Sequence, residues 1–123
     1  MGSRGAMRYD EAMSEPSIQN FHAHIYYDPQ EVERAKALAA AAQERFGVPV
    51  GHFHLKPVGP HPRGSCQLTV ACDTFGDFAQ WIALNRNGLT IFAHTTTGED
   101  LADHTEHVIW FGPSEPLDLS IFS

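Results

Sequence analysis

The stretch "FHAHIYYD", Phe21–Asp28, alternates apolar and polar side chains with two histidines one residue apart. Phe21, Ala23, Ile25 and Tyr27 alternate with His22, His24 and Tyr26, and a period of two marks a strand with one face in a core. Side chains two positions apart leave a strand on the same side. The two imidazoles therefore share the face turned away from that core. A sheet built on this strand would carry helices on one side and histidines on the other.

The downstream patterns repeat the arrangement. In "DPQEVERAKALAAAAQERFG" Asp28 can cap a helix, Pro29 suits its first position, and Glu31 has the spacing of a capping box. Val32, Ala35, Leu38, Ala39, Ala42 and Phe46 then fall on one face before Gly47 ends the helix. "VPVGHFHLKPVG" reads as a second strand, with Phe53 and Leu55 opposed to His52 and His54, until Pro57 interrupts it. In "CQLTVAC" Cys66, Leu68, Val70 and Cys72 share a face, giving a third strand. "TFGDFAQWIALNRNG" reads as a helix capped by Thr74 and closed by Gly88. "LTIFAHT" makes a fourth strand, with Ile91 and Ala93 opposed to Phe92 and His94; after the polar loop "TTGEDLADHTE", "HVIWFG" could add an edge strand. The order β-α-β-β-α-β predicts an α+β, ferredoxin-like split βαβ fold, an antiparallel sheet with two helices on one face.

A chain of 123 residues buries enough surface to fold as one domain without a staple. Residues 21–123 are expected to form it, and the polar, aperiodic residues 1–20 to be disordered or foreign to the native chain. A net charge of −7 argues against nucleic acid or an anionic membrane as partner. No apolar run reaches membrane-helix length and no signal peptide is visible, so a cytoplasmic location is expected. Cys66 and Cys72, six apart in an extended segment, would lie roughly 20 Å from each other, so both are expected to be reduced and buried.

Parity sends His22, His24, His52, His54 and His94 to the face opposite the helices. One histidine on a strand is ordinarily a structural residue; five on one face favour a metal site, because imidazole is the commonest protein ligand for iron, zinc and copper. Tyr26 and Phe92 among them suggest a pocket wall. His61, between two prolines, could overhang that face or sit in solvent. His104 follows Asp103, which could set its tautomer or serve only its own loop. One of Glu99, Asp100 and Asp103 could supply an anionic ligand, although a solvated loop explains most of them. His107 receives no role.

With "FHAHIYYD", "HLKPVGPHP", "WIALNRNGLTIFAHTTTG" and "DHTEHVIWFG" the chain resembles the DOPA 4,5-dioxygenase family from about Phe21 to Gly112. Thr95 stands where that family usually has a proline. The resemblance implies extradiol cleavage of a catechol such as L-DOPA by O₂, using a non-haem Fe(II) that leaves positions free for both substrates. It matches His22, His24, His54, His61, His94 and His104 to the family's histidines, and His52 less securely. On this basis His24, His54 and His94 are expected as ligands, with His22 the substitute, His61 or His104 as acid/base, and Tyr26 beside the substrate.

Two other readings use the same residues. One holds zinc or another divalent metal and activates water, making a small metallohydrolase. The other is a non-enzymatic dimeric module that packs its open sheet faces together or binds a small ligand there; a homodimer is expected for the dioxygenase reading as well. No residue pair selects a substrate side chain; Lys56, Arg63 and Arg86 are candidates for holding a carboxylate.

Overall fold

Alternation in three segments and helical period in two produce a four-stranded antiparallel sheet backed by two helices. A computed structural model of the chain describes residues 17–122. In chain order the elements are β1 (Asn20–Tyr27), α1 (Val32–Phe46), β2 (Gly64–Val70), α2 (Cys72–Asn85), β3 (Thr90–Thr96), α3 (Asp100–Thr105) and β4 (Val108–Phe111). The strand order is β2-β1-β3-β4, every neighbouring pair antiparallel. This is the expected α+β architecture, with β1 between the strands that follow the two long helices.

Parity governs the layers as predicted. Ala23, Ile25 and Tyr27 of β1, Cys66, Leu68 and Val70 of β2, and Ile91 and Ala93 of β3 form one core with Ala35, Leu38, Ala39 and Ala42 of α1 and Phe75, Phe78 and Ile82 of α2. Phe21 stacks on Phe75 with ring centroids 4.0 Å apart. The Asp28 N–H donates to Glu31 Oε1 at 2.8 Å, the expected capping contact, although a single 3₁₀ turn over Pro29–Glu31 precedes α1. Gly47 ends α1 at φ 71°, the left-handed conformation that glycine adopts without a Cβ penalty.

Several expectations are corrected. The segment around "VGHFHL" is not a strand: it runs beside β2 through two isolated bridges, Val50 with Leu68 and His54 with Ser65. The five residues from Val50 to His54 oppose only the four from Ser65 to Leu68, so an extra residue at His52–Phe53 bulges the segment and breaks continuous pairing between the two bridges. Phe53 still packs against the core, but Leu55 is 67% exposed rather than buried. Gly64 allows the close approach, since a Cβ there would stand 2.9 Å from both the His54 carbonyl oxygen and Tyr27 Cε1. The loop after β3 contains α3, a helix too short to show a period. Cys72 opens α2 and is exposed, so only Cys66 is the buried free thiol that was expected. Ala71, not Thr74, precedes the first turn of α2, and that helix ends before Arg86 rather than at Gly88. The strand begins at Asn20, one residue before the proposed domain boundary; the expectation for residues 1–16 lies outside the described residues. None of the described helices is long and apolar enough to cross a membrane.

Candidate metal centre

The register of the sheet builds the centre. His22 faces His94 directly across β1 and β3, and His24 faces Phe92 on one side and Gln67 of β2 on the other. Three chain segments then fold over this second face. The loop before β2 brings His61, α3 brings His104, and the segment after β4 brings Ile121 and Phe122. Tyr26 and Phe92 become fully buried, and His24 and His94 are only 5% and 2% exposed.

His22, His24 and His94 each offer a ring nitrogen within 4.8 Å of the other two. His24 Nε2 and His94 Nε2 are 3.1 Å apart, a spacing that suits a shared ion, since two ligands at about 2.1 Å and 90–110° stand roughly 3.0–3.4 Å apart. Next to it, His94 Nδ1 donates to the Thr95 carbonyl at 2.8 Å. A carbonyl can only accept, so the proton is on Nδ1 and the Nε2 lone pair of neutral His94 points into the cluster. Burial, the largest cause, holds His94 down to about 4, with the neighbouring imidazoles His104 and His22 adding to it. Burial followed by the charges of His61, His94, His22 and His104 holds His24 well below the ordinary range. His22, half-buried, is lowered for the same first reason. All three are thus neutral near pH 7, the form that ligates. The residues present fit a divalent transition metal.

His54 stands outside this cluster. It lies with His52, ring centroids 4.8 Å apart, on the edge segment beside β2. The two line a neighbouring hollow of about 350 Å³ that meets the metal cleft at His24, Pro60, His61 and Gln67. Of the four expected ligands the structure clusters His22, His24 and His94 and leaves His54 apart, because His22 shares a strand with His24 whereas the His54 segment joins the sheet only by isolated bridges.

The two acid/base candidates are both brought in. His61 lies 4.1 Å from His24 between ring centroids, and its Nδ1 is 2.7 Å from the Tyr26 hydroxyl. Burial lowers His61 to about 4 and raises Tyr26 above its ordinary value, so at neutral pH the pair is uncharged. His104 lies 4.0 Å from His94 between ring centroids and 4.5 Å from Phe122. Its Nδ1 donates to the Asp100 carbonyl at 2.7 Å, so in the neutral ring Nε2 is free to take a proton.

Asp103 does not set the His104 tautomer. Its buried carboxylate accepts from the Thr95 hydroxyl at 2.7 Å, the Thr97 N–H at 2.8 Å and the Thr97 hydroxyl at 2.9 Å, and His107 Nδ1 stands 3.4 Å away. Burial alone would raise it; the Thr97 N–H, with the two hydroxyls, outweighs burial and holds it below the ordinary value. No carboxylate joins the histidine cluster among the described residues. Arg63 is occupied as well, in ion pairs with Asp28, Glu31 and Glu115, the last at 2.6 Å. Sequence reasoning missed Thr95 as the residue that orients His94, and Ile121 and Phe122 as part of the wall. The first acts through its backbone carbonyl and the others sit in an aperiodic tail, so no pattern marked them.

The chain is similar to known proteins over most of its length. The model of the Dopa 4,5-dioxygenase family matches residues 21–121. A DOPA 4,5-dioxygenase of Amanita muscaria is 31% identical over 119 residues, covering 89% of this chain and 52% of the relative. The chain thus spans about half the length of that relative. An uncharacterised 21.2 kDa protein of Botryotinia fuckeliana is 29% identical, covering 97% of this chain and 72% of that one. A crystal structure from Nostoc punctiforme, provisionally described as a dioxygenase, superposes with a TM-score of 0.81 at 35% identity, covering 84% of this chain and 90% of the other. With its family model matched from the first core strand to the end of the tail, the chain belongs to the Dopa 4,5-dioxygenase family.

Proposed function

We propose that this protein is a ring-cleaving dioxygenase that opens a catechol beside its two hydroxyls, using a non-haem Fe(II) held by His22, His24 and His94. The observation that carries the reading is the convergence of three neutral imidazoles in a cleft of about 270 Å³ that two further histidines overlook. Three neutral ligands leave an Fe(II) with open positions, and the chemistry the ion would supply is binding and activation of catechol and O₂ together.

The chain's own residues would do the rest. His104 Nε2 takes a proton from a catechol hydroxyl, because its other nitrogen is committed to the Asp100 carbonyl. His104 then returns that proton as the ring opens, while His61, hydrogen-bonded to Tyr26 on the opposite side of His24, holds the second hydroxyl. Tyr26 stays protonated and keeps the His61 ring in place. Pro60, Ile121 and Phe122 restrict water beside the reacting ring.

The test is to load the protein with Fe(II) under nitrogen, then admit air with catechols present and follow oxygen uptake and a yellow ring-opened product. Stoichiometric iron with uptake matched to product is expected. His94→Ala should abolish both, and wild-type turnover in that variant would end the reading. Zinc as the tightly held metal, with hydrolysis and no oxygen uptake, would replace it with a metallohydrolase.

A further inference from the structure

The charge lining the metal cleft carries an inference about what enters it. Among the described residues, the only charged side chains on its wall are the carboxylates of Asp100 and Asp103. Asp103 is buried in bonds to Thr95, Thr97 and His107, while Asp100 is exposed at the rim. No lysine or arginine between residues 17 and 122 lines the cleft or the hollow beside it. Arg63, the nearest of them in sequence to His61, is closed off by Asp28, Glu31 and Glu115. Arg34 bonds Glu31 and the Asn87 carbonyl, Lys36 pairs with Glu33, and Arg86 bonds the Leu89 carbonyl. The remaining walls are imidazoles, the uncharged Gln67, Thr95, Thr96 and Gly98, and the apolar side chains of Pro60, Ile121 and Phe122.

Resting on the proposed function, we infer that the substrate is a catechol whose ring substituent is neutral or carries an amine, and not one bearing a carboxylate as its only charge. The two catechol oxygens would answer the charge of the metal. A substituent carboxylate would then meet Asp100 without a cation to balance it, whereas an ammonium would find Asp100 as its partner. An apolar substituent would lie against Ile121 and Phe122 at no electrostatic cost.

The experiment compares catechols that differ only in the substituent, namely dopamine, 4-methylcatechol, L-DOPA and 3,4-dihydroxyphenylacetate, on the full Fe(II)-loaded chain. It also measures binding of tyramine and 4-hydroxyphenylacetate to the Zn(II)-loaded chain by calorimetry, a readout independent of turnover. Dopamine and 4-methylcatechol are expected to exceed 3,4-dihydroxyphenylacetate by at least tenfold in kcat/KM, with L-DOPA between. Tyramine should bind at least tenfold more tightly than 4-hydroxyphenylacetate, and Asp100→Asn should shrink that ratio by threefold or more. Equal values for all four catechols, or a preference for the carboxylate, would overturn the inference while leaving ring cleavage intact. Absence of turnover with every catechol, with the binding order preserved, would overturn the proposed function and leave the charge preference standing.

Discussion

At the scale of single residues, the orientation of His94 depends on a residue that lies outside the histidine cluster. Its ring is held by the carbonyl of Thr95, and the hydroxyl of Thr95 is held by Asp103, which also takes the N–H and hydroxyl of Thr97. Asp103 therefore positions the backbone that presents the carbonyl. Removing its side chain strands three donors in a site only 2% exposed, at a cost of roughly 2–4 kcal/mol by the usual penalty for unmade buried bonds. Asp103→Asn keeps the shape but turns one acceptor into a donor. The expected outcome is a metal Kd raised on the order of 10–100-fold with an unchanged far-UV spectrum, measured by calorimetric titration. Wild-type affinity in that variant would show that His94 is oriented without the loop. The side chain of His94 was legible in the sequence from parity alone. The support for it was not, because a carbonyl has no residue type and Asp103 looks like any loop acid.

At the scale of elements, parity located β1, β2 and β3, since a strand with one buried face cannot hide its period. It failed for the "VGHFHL" segment because alternation reports extended backbone, while a continuous ladder needs one register, and an extra residue between the Val50 and His54 bridges shifts it. Four backbone hydrogen bonds to β2 hold that segment at its two bridges, and two further features reinforce them. The Tyr27 hydroxyl donates to the carbonyls of both His54 and Ser65, at 2.8 and 2.9 Å, and Gly64 lets the backbones touch. Gly64→Ala should push the edge segment away and destabilise the fold by about 1–3 kcal/mol, the common cost of overpacking, seen as a lower denaturation midpoint. Tyr27 also gives the fold an alkaline limit. Burial, and then the nearby Cys66, raise its hydroxyl to about 12. Below its unfolded value near 10 both states keep the proton and its stabilisation is complete. Between about 10 and 12 the unfolded chain gives up the proton first, so stability falls as pH rises. Tyr27→Phe should lose roughly 1 kcal/mol at pH 8 and show a shallower decline from pH 10 to 12 in urea titrations. A decline as steep as wild type would assign the alkaline limit to other groups, of which Cys66, raised to about 11 chiefly by burial, is the first to test.

At the scale of the whole molecule, the sheet has two working faces, one packed with aliphatic side chains against α1 and α2 and the other with imidazoles and aromatic rings beneath α3 and the tail. The second face buries polar rings that are neutral by desolvation, so a metal that uses their lone pairs should stabilise the native state selectively. At free metal one hundred times Kd the gain is about 2.7 kcal/mol, less whatever the unfolded histidines bind. For a domain of this size that corresponds to a rise in Tm on the order of 10 °C. Chelator-treated protein should melt correspondingly lower, and Tm should climb with the logarithm of added Zn(II) or Mn(II) in a fluorescence melt. The variants decide which histidines are responsible. His22→Ala, His24→Ala and His94→Ala should each remove most of the rise, whereas His52→Ala and His54→Ala, on an edge segment outside the cluster, should keep it. If His54→Ala removes the rise and His22→Ala keeps it, the metal is drawing the edge segment inward across β2. The ligand set would then be His24, His54 and His94, and the cleft and the hollow beside it would form one site.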